Sequence, residues 1–179
     1  MKIFIGCSSS NNIPSNYRQD CQELLKEIFK RNYDLVYGAY NQGLMNDSYE
    51  EALKNNHQVI GITPEIFKED LKKIKCTKEI ITENICRRTE ELINESDLIL
   101  FLPGGIGTTY ELLSTIESKR SNEFNKPIII YNSNHFFDEL LSFFEKQYVE
   151  NFTKKTVKET YLVFNDCPPL IKYLDNINN

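Results

Sequence analysis

Short runs of β-branched and aromatic residues alternate along the chain with longer segments whose apolar positions recur every three or four residues. The short runs predict strands at Lys2–Gly6, Asp34–Tyr37, Gln58–Ile62, Asp97–Leu102, Pro127–Tyr131 and Tyr161–Phe164. The longer segments predict helices near 15–31, 43–56, 84–95, 107–120, 136–148 and 167–176. The last of these opens with Asp166 as N-cap and Pro168 in its first turn. Regular alternation of this kind is the signature of βα units, so the expected class is α/β, with a mostly parallel sheet and helices on both faces. Residues 63–83 break the pattern: they hold Pro64, a charged stretch from Lys68 to Lys75, and a short strand at Glu79–Thr82. The polar end from Asn176 to Asn179 is expected to fray.

Glycine placement adds to this picture. The chain has seven glycines, and nearly all fall at or just beyond the end of a predicted strand, on one rim of the sheet. Ligands of open parallel sheets bind outside the carboxyl ends of the strands. For Gly38, Gly43 and Gly61 a plain turn role is equally consistent with the sequence. Three others cluster in Pro103-Gly104-Gly105-Ile106-Gly107-Thr108-Thr109-Tyr110-Glu111, which follows the apolar strand Leu98–Leu102 and opens a helix. Glycine-rich backbone at a helix start presents orphan N–H donors and the positive end of the dipole, a combination that favours a phosphate. Thr108 and Thr109 add hydroxyls. No lysine follows the glycines and Tyr110 stands where a third spaced glycine belongs, so neither an ATP-cleaving loop nor a dinucleotide fingerprint is present.

Two side chains are candidates for chemistry. Glu111 lies about one turn into the helix, where the dipole is expected to favour its ionised form and make it a poor proton donor. A carboxylate beside a phosphate loop suits a reaction that develops positive charge on a sugar, or one that activates water; a helix-stabilising role carries similar weight on spacing alone. Arg88 shares a helix face with Ile85 and Leu92 and is expected to point towards the sheet or a cleft, whereas Arg87 aligns with Glu83 and Glu91 as a solvated stripe. An inward arginine requires an anionic partner. The turns Cys7-Ser8-Ser9-Ser10 and Gly38-Ala39-Tyr40-Asn41-Gln42-Gly43-Leu44-Met45 complete the rim. No Ser-His-Asp set can be assembled from these elements.

Composition narrows the partners. A chain of 179 residues, 40% hydrophobic and 26% charged, fits one globular domain spanning 1–179. Twenty-one basic against 26 acidic residues leave a charge of -5, which discourages a nucleic-acid partner. The longest aliphatic or aromatic run, Leu98 to Leu102, falls far short of the roughly 20 residues that span a bilayer, and the start lacks the apolar core of a signal peptide. A cytoplasmic protein without membrane contact is expected. Five cysteines without a C-x-x-C pair read as free thiols, and His57 and His135 have no metal-ligand spacing around them, so no metal site is expected.

With those residues in hand, the chain resembles the LOG ("Lonely guy") family, long labelled as lysine decarboxylases. The resemblance covers nearly the whole length and rests on the Cys7–Ser10 turn, the Val36-Tyr37-Gly38 strand end followed by Gly43-Leu44-Met45, Arg88, and above all the P-G-G-x-G-T-x-x-E motif from Pro103 to Glu111. It implies a Rossmann-like fold, a homodimer, and hydrolysis of a nucleoside 5′-monophosphate, AMP or an N6-modified AMP in the cytokinin-activating members, to free base and ribose 5-phosphate without a cofactor. By the same resemblance Arg88 and Glu111 form the catalytic pair. Ser8, Gly43, Met45, Gly104, Gly105, Gly107 and Thr108 bind the substrate, with Gly105, Gly107 and Thr108 on its phosphate. Two departures bear on the base: Thr89 follows Arg88 where the family has lysine, and the family's run of glycines is reduced around Tyr40. Both are expected to alter charge and shape at the pocket, which leaves a modified purine and a pyrimidine both open. A non-catalytic nucleotide-binding or sensor protein on the same scaffold is the competing reading. Apolar surface for a dimer is expected around Phe136, Phe137, Phe143 and Phe144, most of which should be core.

Overall fold

The computed structural model describes residues 1–177 of the chain. It forms a seven-stranded sheet in the order β4-β3-β2-β1-β5-β6-β7, every neighbouring pair parallel. The strands are β1 (Lys2–Gly6), β2 (Asp34–Tyr37), β3 (Val59–Pro64), β4 (Lys78–Thr82), β5 (Leu98–Phe101), β6 (Ile128–Tyr131) and β7 (Leu162–Phe164). The helices are α1 (Ser15–Phe29), α2 (Gly43–Lys54), α3 (Lys68–Leu71), α4 (Ile85–Asn94), α5 (Ile106–Arg120), α6 (Asp138–Val149) and α7 (Cys167–Ile177).

Strands buried on both faces need apolar residues at every position, and alternate residues then serve opposite layers. On β1, Ile3 and Ile5 join one core while Phe4 joins the other. The first core packs Leu35, Tyr37, Leu98 and Leu100 against apolar residues of α1, α2 and α7. The second packs Val36, Ile60, Ile99 and Phe101 against α4, α5 and α6. Helices therefore cover both faces, as the pattern predicts. α7 runs through Ile177, so Asn176 is helical rather than frayed, and Asn178 and Asn179 lie outside the described residues.

The stretch that breaks the alternation, 63–83, forms the end of β3, a short 3-10 turn at Glu65–Phe67, α3 and edge strand β4. Strand β3 extends two residues past the predicted Ile62, and Gly61 sits inside it, facing Cys76, Ala39 and Leu71 rather than the rim. Of the four phenylalanines, Phe137 and Phe144 are core, whereas Phe136 and Phe143 are 37% and 56% exposed. Strand β1 pairs with β2 on one side and with β5 on the other (Ile3 with Leu35 and with Leu98). The connections leaving β1 and β5 part there, and that divergence opens a crevice at the carboxyl ends of the strands.

Candidate active site

A cleft of about 580 Å³ occupies this crevice. Three loops are stitched together beneath it: Ser8 N–H donates to the Pro103 carbonyl at 3.1 Å, Met45 N–H donates to the Ser8 carbonyl at 3.2 Å, and Gly43 N–H donates to Asn11 Oδ1 at 2.9 Å. The Ser8 hydroxyl accepts from Ser10 N–H at 3.1 Å, which shapes the serine turn. Helix α2 begins at Gly43 with φ +60, and a Cβ there would meet the Ser10 carbonyl at 2.6 Å, so this position admits only glycine.

Four groups follow one another along the rim. At the end of β5, Gly105, Ile106, Gly107 and Thr108 line the cleft as the first turn of α5. Gly105 is the N-cap and supplies no side chain, which leaves the first N–H groups of the helix facing outwards. Over the end of β1 lies Glu111, whose Oε2 is 3.4 Å from where a Cβ on Gly6 would stand. Over the end of β2, Nη1 of Arg88 is 3.5 Å from the corresponding position on Gly38. At the end of β3 stands Thr63, and beyond the strand stand Phe67 and Asp70.

The two central groups touch. Arg88 Nη2 donates to Glu111 Oε1 at 2.5 Å. Glu111 is 1% exposed, and burial raises its pKa, opposed by the charge and hydrogen bond of Arg88. The expectation that the helix dipole governs this group is corrected: desolvation is the largest influence, and Arg88 is what offsets it. Among the described residues the Nε of Arg88 is buried without a hydrogen-bond partner, a donor left available to a ligand. Burial, with Cys21 and Glu111 adding to it, pushes the Cys7 thiol well up, so it stands at the cleft wall as a neutral group.

Ser8, Met45, Gly105, Gly107, Thr108, Arg88 and Glu111 thus converge on one cleft. Gly43 and Gly104 do not line it. A Cβ on Gly104 would lie 2.1 Å from Thr108 Oγ1, so this glycine makes room for Thr108 rather than for a ligand. The Thr109 hydroxyl donates to the Gly105 carbonyl at 3.2 Å and is spent on its own helix. Thr89 is buried, its hydroxyl donating to the Ile85 carbonyl at 3.2 Å, and does not line the cleft, so of the two departures only Tyr40 reaches the pocket. Arg87 pairs with Glu90 rather than bonding to Glu83 or Glu91. Helix α4 is capped by Asn84, whose Oδ1 accepts from Arg87 N–H at 3.0 Å, and this fixes the turn from which Arg88 projects. Thr63, Phe67 and Asp70 escaped the sequence reading, although the carboxyl end of β3 was a rim position like the others. Among the described residues no group of three or more His, Cys, Asp or Glu side chains is arranged to hold a metal ion, and no helix is long and apolar enough to cross a membrane.

The strand order and the crevice define a doubly wound α/β protein of Rossmann type. Within that class the chain belongs to the LOG family: residues 45–174 match the family model described as "Possible lysine decarboxylase", and relatives bearing the LOG name match across nearly all of it. Cytokinin riboside 5′-monophosphate phosphoribohydrolase LOG3 of Arabidopsis thaliana is 31% identical over 179 residues, covering 97% of this chain and 81% of that protein. LOG2 of the same plant is 29% identical, with 97% and 82% covered. Among solved structures, a molybdenum cofactor carrier protein of Chlamydomonas reinhardtii superposes with a TM-score of 0.69 at 17% identity, over 98% of this chain and 96% of its own. The molybdenum cofactor binding protein of Rippkaea orientalis does so with a TM-score of 0.69 at 16%, over 99% and 97%. These two likenesses are of fold.

Proposed function

We propose that the protein is a phosphoribohydrolase acting on a nucleoside 5′-monophosphate, AMP or an N6-modified AMP, and releasing free base and ribose 5-phosphate. The observation that carries this reading is the buried Arg88–Glu111 pair in the same cleft as a glycine-rich helix start. The phosphate sits on the N–H groups of Gly105, Gly107 and Thr108, where the α5 dipole favours negative charge. Anchoring at this remote point places the ribose so that C1′ faces the Glu111 carboxylate. As the C1′–N bond breaks, positive charge grows on the sugar ring; Glu111 stabilises it and orients the water that adds to C1′, while the base leaves with the bonding electrons and takes up a proton. Arg88 holds Glu111 in place and in its charged form.

Membership of a family with phosphoribohydrolases among its named relatives supports this reading. Lysine decarboxylation finds no support here: that chemistry runs on pyridoxal phosphate held by a lysine, and none of the residues lining the cleft is a lysine. We further infer one domain working in the cytoplasm, a setting that suits five free cysteines, as a homodimer and without a resident cofactor. The test is base release from a panel of nucleoside monophosphates by the parent and by Glu111→Gln. The variant should lose about 10²- to 10³-fold in rate, the scale of one well-placed electrostatic group. Tight nucleotide binding by the parent with no base released would instead establish a binding or sensor protein.

A further inference from the structure

Beyond the Arg88–Glu111 pair the cleft changes character. Neighbouring strands lie about 4.8 Å apart, so the rim from β5 across β1 and β2 to β3 spans roughly 15 Å, the scale of a whole mononucleotide rather than of its phosphate. A phosphate on the α5 start and a C1′ at Glu111 fix a direction, and that direction carries the base over β2 towards β3. There it meets two aromatic rings, Tyr40 after β2 and Phe67 after β3, and the carboxylate of Asp70 on α3. Phe67 is 44% exposed although it lines the cleft, an open apolar ring against which a flat base can lie. Asp70 has one side-chain partner among the described residues: Lys73 Nζ donates to its Oδ1 at 2.7 Å. Its second carboxylate oxygen retains its full accepting capacity.

We propose that Asp70 is the specificity residue for the base, accepting a hydrogen bond from an exocyclic amino group. The chain then prefers amino-bearing nucleotides, such as AMP, its N6-monosubstituted forms and cytidine monophosphate, over their oxo counterparts, the inosine and uridine monophosphates. The inference rests on the phosphoribohydrolase reading above and names which bases it accepts. A carboxylate offers only acceptors. An amino group supplies the matching donor, and an N6-monosubstituted adenine keeps one N–H for the purpose. A carbonyl oxygen at the same ring position sets acceptor against acceptor and leaves both unpaired in a partly desolvated site.

The experiment measures base release from the four parent nucleotides by the unmodified protein, Asp70→Ala and Asp70→Asn. The affinities of the same nucleotides are measured by calorimetry in the Glu111→Gln background, with and without each Asp70 substitution. The unmodified protein should favour AMP over inosine monophosphate about ten- to hundredfold in kcat/KM. Asp70→Ala should lower the values for AMP and cytidine monophosphate but not for their oxo counterparts, and Asp70→Asn, whose amide can donate to a carbonyl, should turn the preference towards the oxo bases. Unfolding temperatures should hold, because the Asp70–Lys73 pair lies where such pairs contribute little. Ratios that stay the same in both variants overturn the assignment. Absence of base release from every nucleotide overturns the phosphoribohydrolase reading instead; the affinity ratios then decide on Asp70 by themselves, and a ratio near one removes it.

Discussion

Glu111 is a carboxylate almost out of reach of water, with Arg88 as its one cationic partner among the described residues. Because burial raises its pKa above the ordinary value of 4.5, it gives up its proton at a higher pH than a surface glutamate does. The sign for stability follows: this carboxyl favours the folded state below 4.5, and that contribution is lost as the pH rises through the higher folded-state value. If the ionised form does the work, the acid limb of kcat/KM should lie above the usual glutamate range. Arg88→Gln removes the group that opposes the upward shift, so the limb should move further towards alkaline pH. The same variant should unfold more easily at about pH 8 than at about pH 5, since ionised Glu111 would be buried without a partner. A limb unmoved by Arg88→Gln would show that Arg88 does not keep Glu111 charged. The sequence placed both side chains on the right helices, but the pKa shift was illegible there, because burial depends on strands far away in the chain.

At the scale of elements, the loop from Pro103 to Thr108 contains two kinds of glycine. Gly104 is crowded by Thr108, so Gly104→Ala must displace the first turn of α5; it should cost about 1–3 kcal/mol of stability along with activity. Gly105 and Gly107 have open space where a Cβ would go. Their alanine variants should keep the parent unfolding temperature while raising KM, the pattern of a side chain intruding on a ligand, and thermal melts beside kinetics separate the two cases. The strands and the longer helices were legible because each buries one apolar stripe or two alternating faces. α3 was not: it is four residues long, Leu71 is its one buried side chain, and its polar residues pair with neighbours three apart, Lys68 with Glu65 and Lys73 with Asp70. Such a segment has no hydrophobic period to read, and Phe67 and Asp70 were hidden with it.

Across the whole molecule, exposed apolar residues lie on α4 and α5 as well as at Phe136 and Phe143, and Leu113 of α5 shares one surface cavity with Phe143. Ile106, Tyr110 and Leu113 follow one another on the outer side of α5, exposed by 88%, 36% and 43%, with Ile85 at 45% at the start of α4. Tyr110 is tied to α4 through its hydroxyl, which donates to Cys86 Sγ at 3.3 Å. If this face joins two copies, light scattering at micromolar concentration should give a dimer, and Leu113→Glu should shift it to monomer without unfolding it; a monomeric parent would remove the homodimer. The way β1 sits between β2 and β5 also bears on how the protein comes into being. Ile3 pairs with Leu98, so the central seam of the sheet closes only after about half of the chain has been made. Arg88 arrives with the first half and Glu111 with the second. Closure over so long a stretch is slow, and a nascent or truncated chain ending before α5 carries the guanidinium but not the acid it serves. If Arg88 and Glu111 work as a pair, base release should therefore be absent from any chain that stops short of α5.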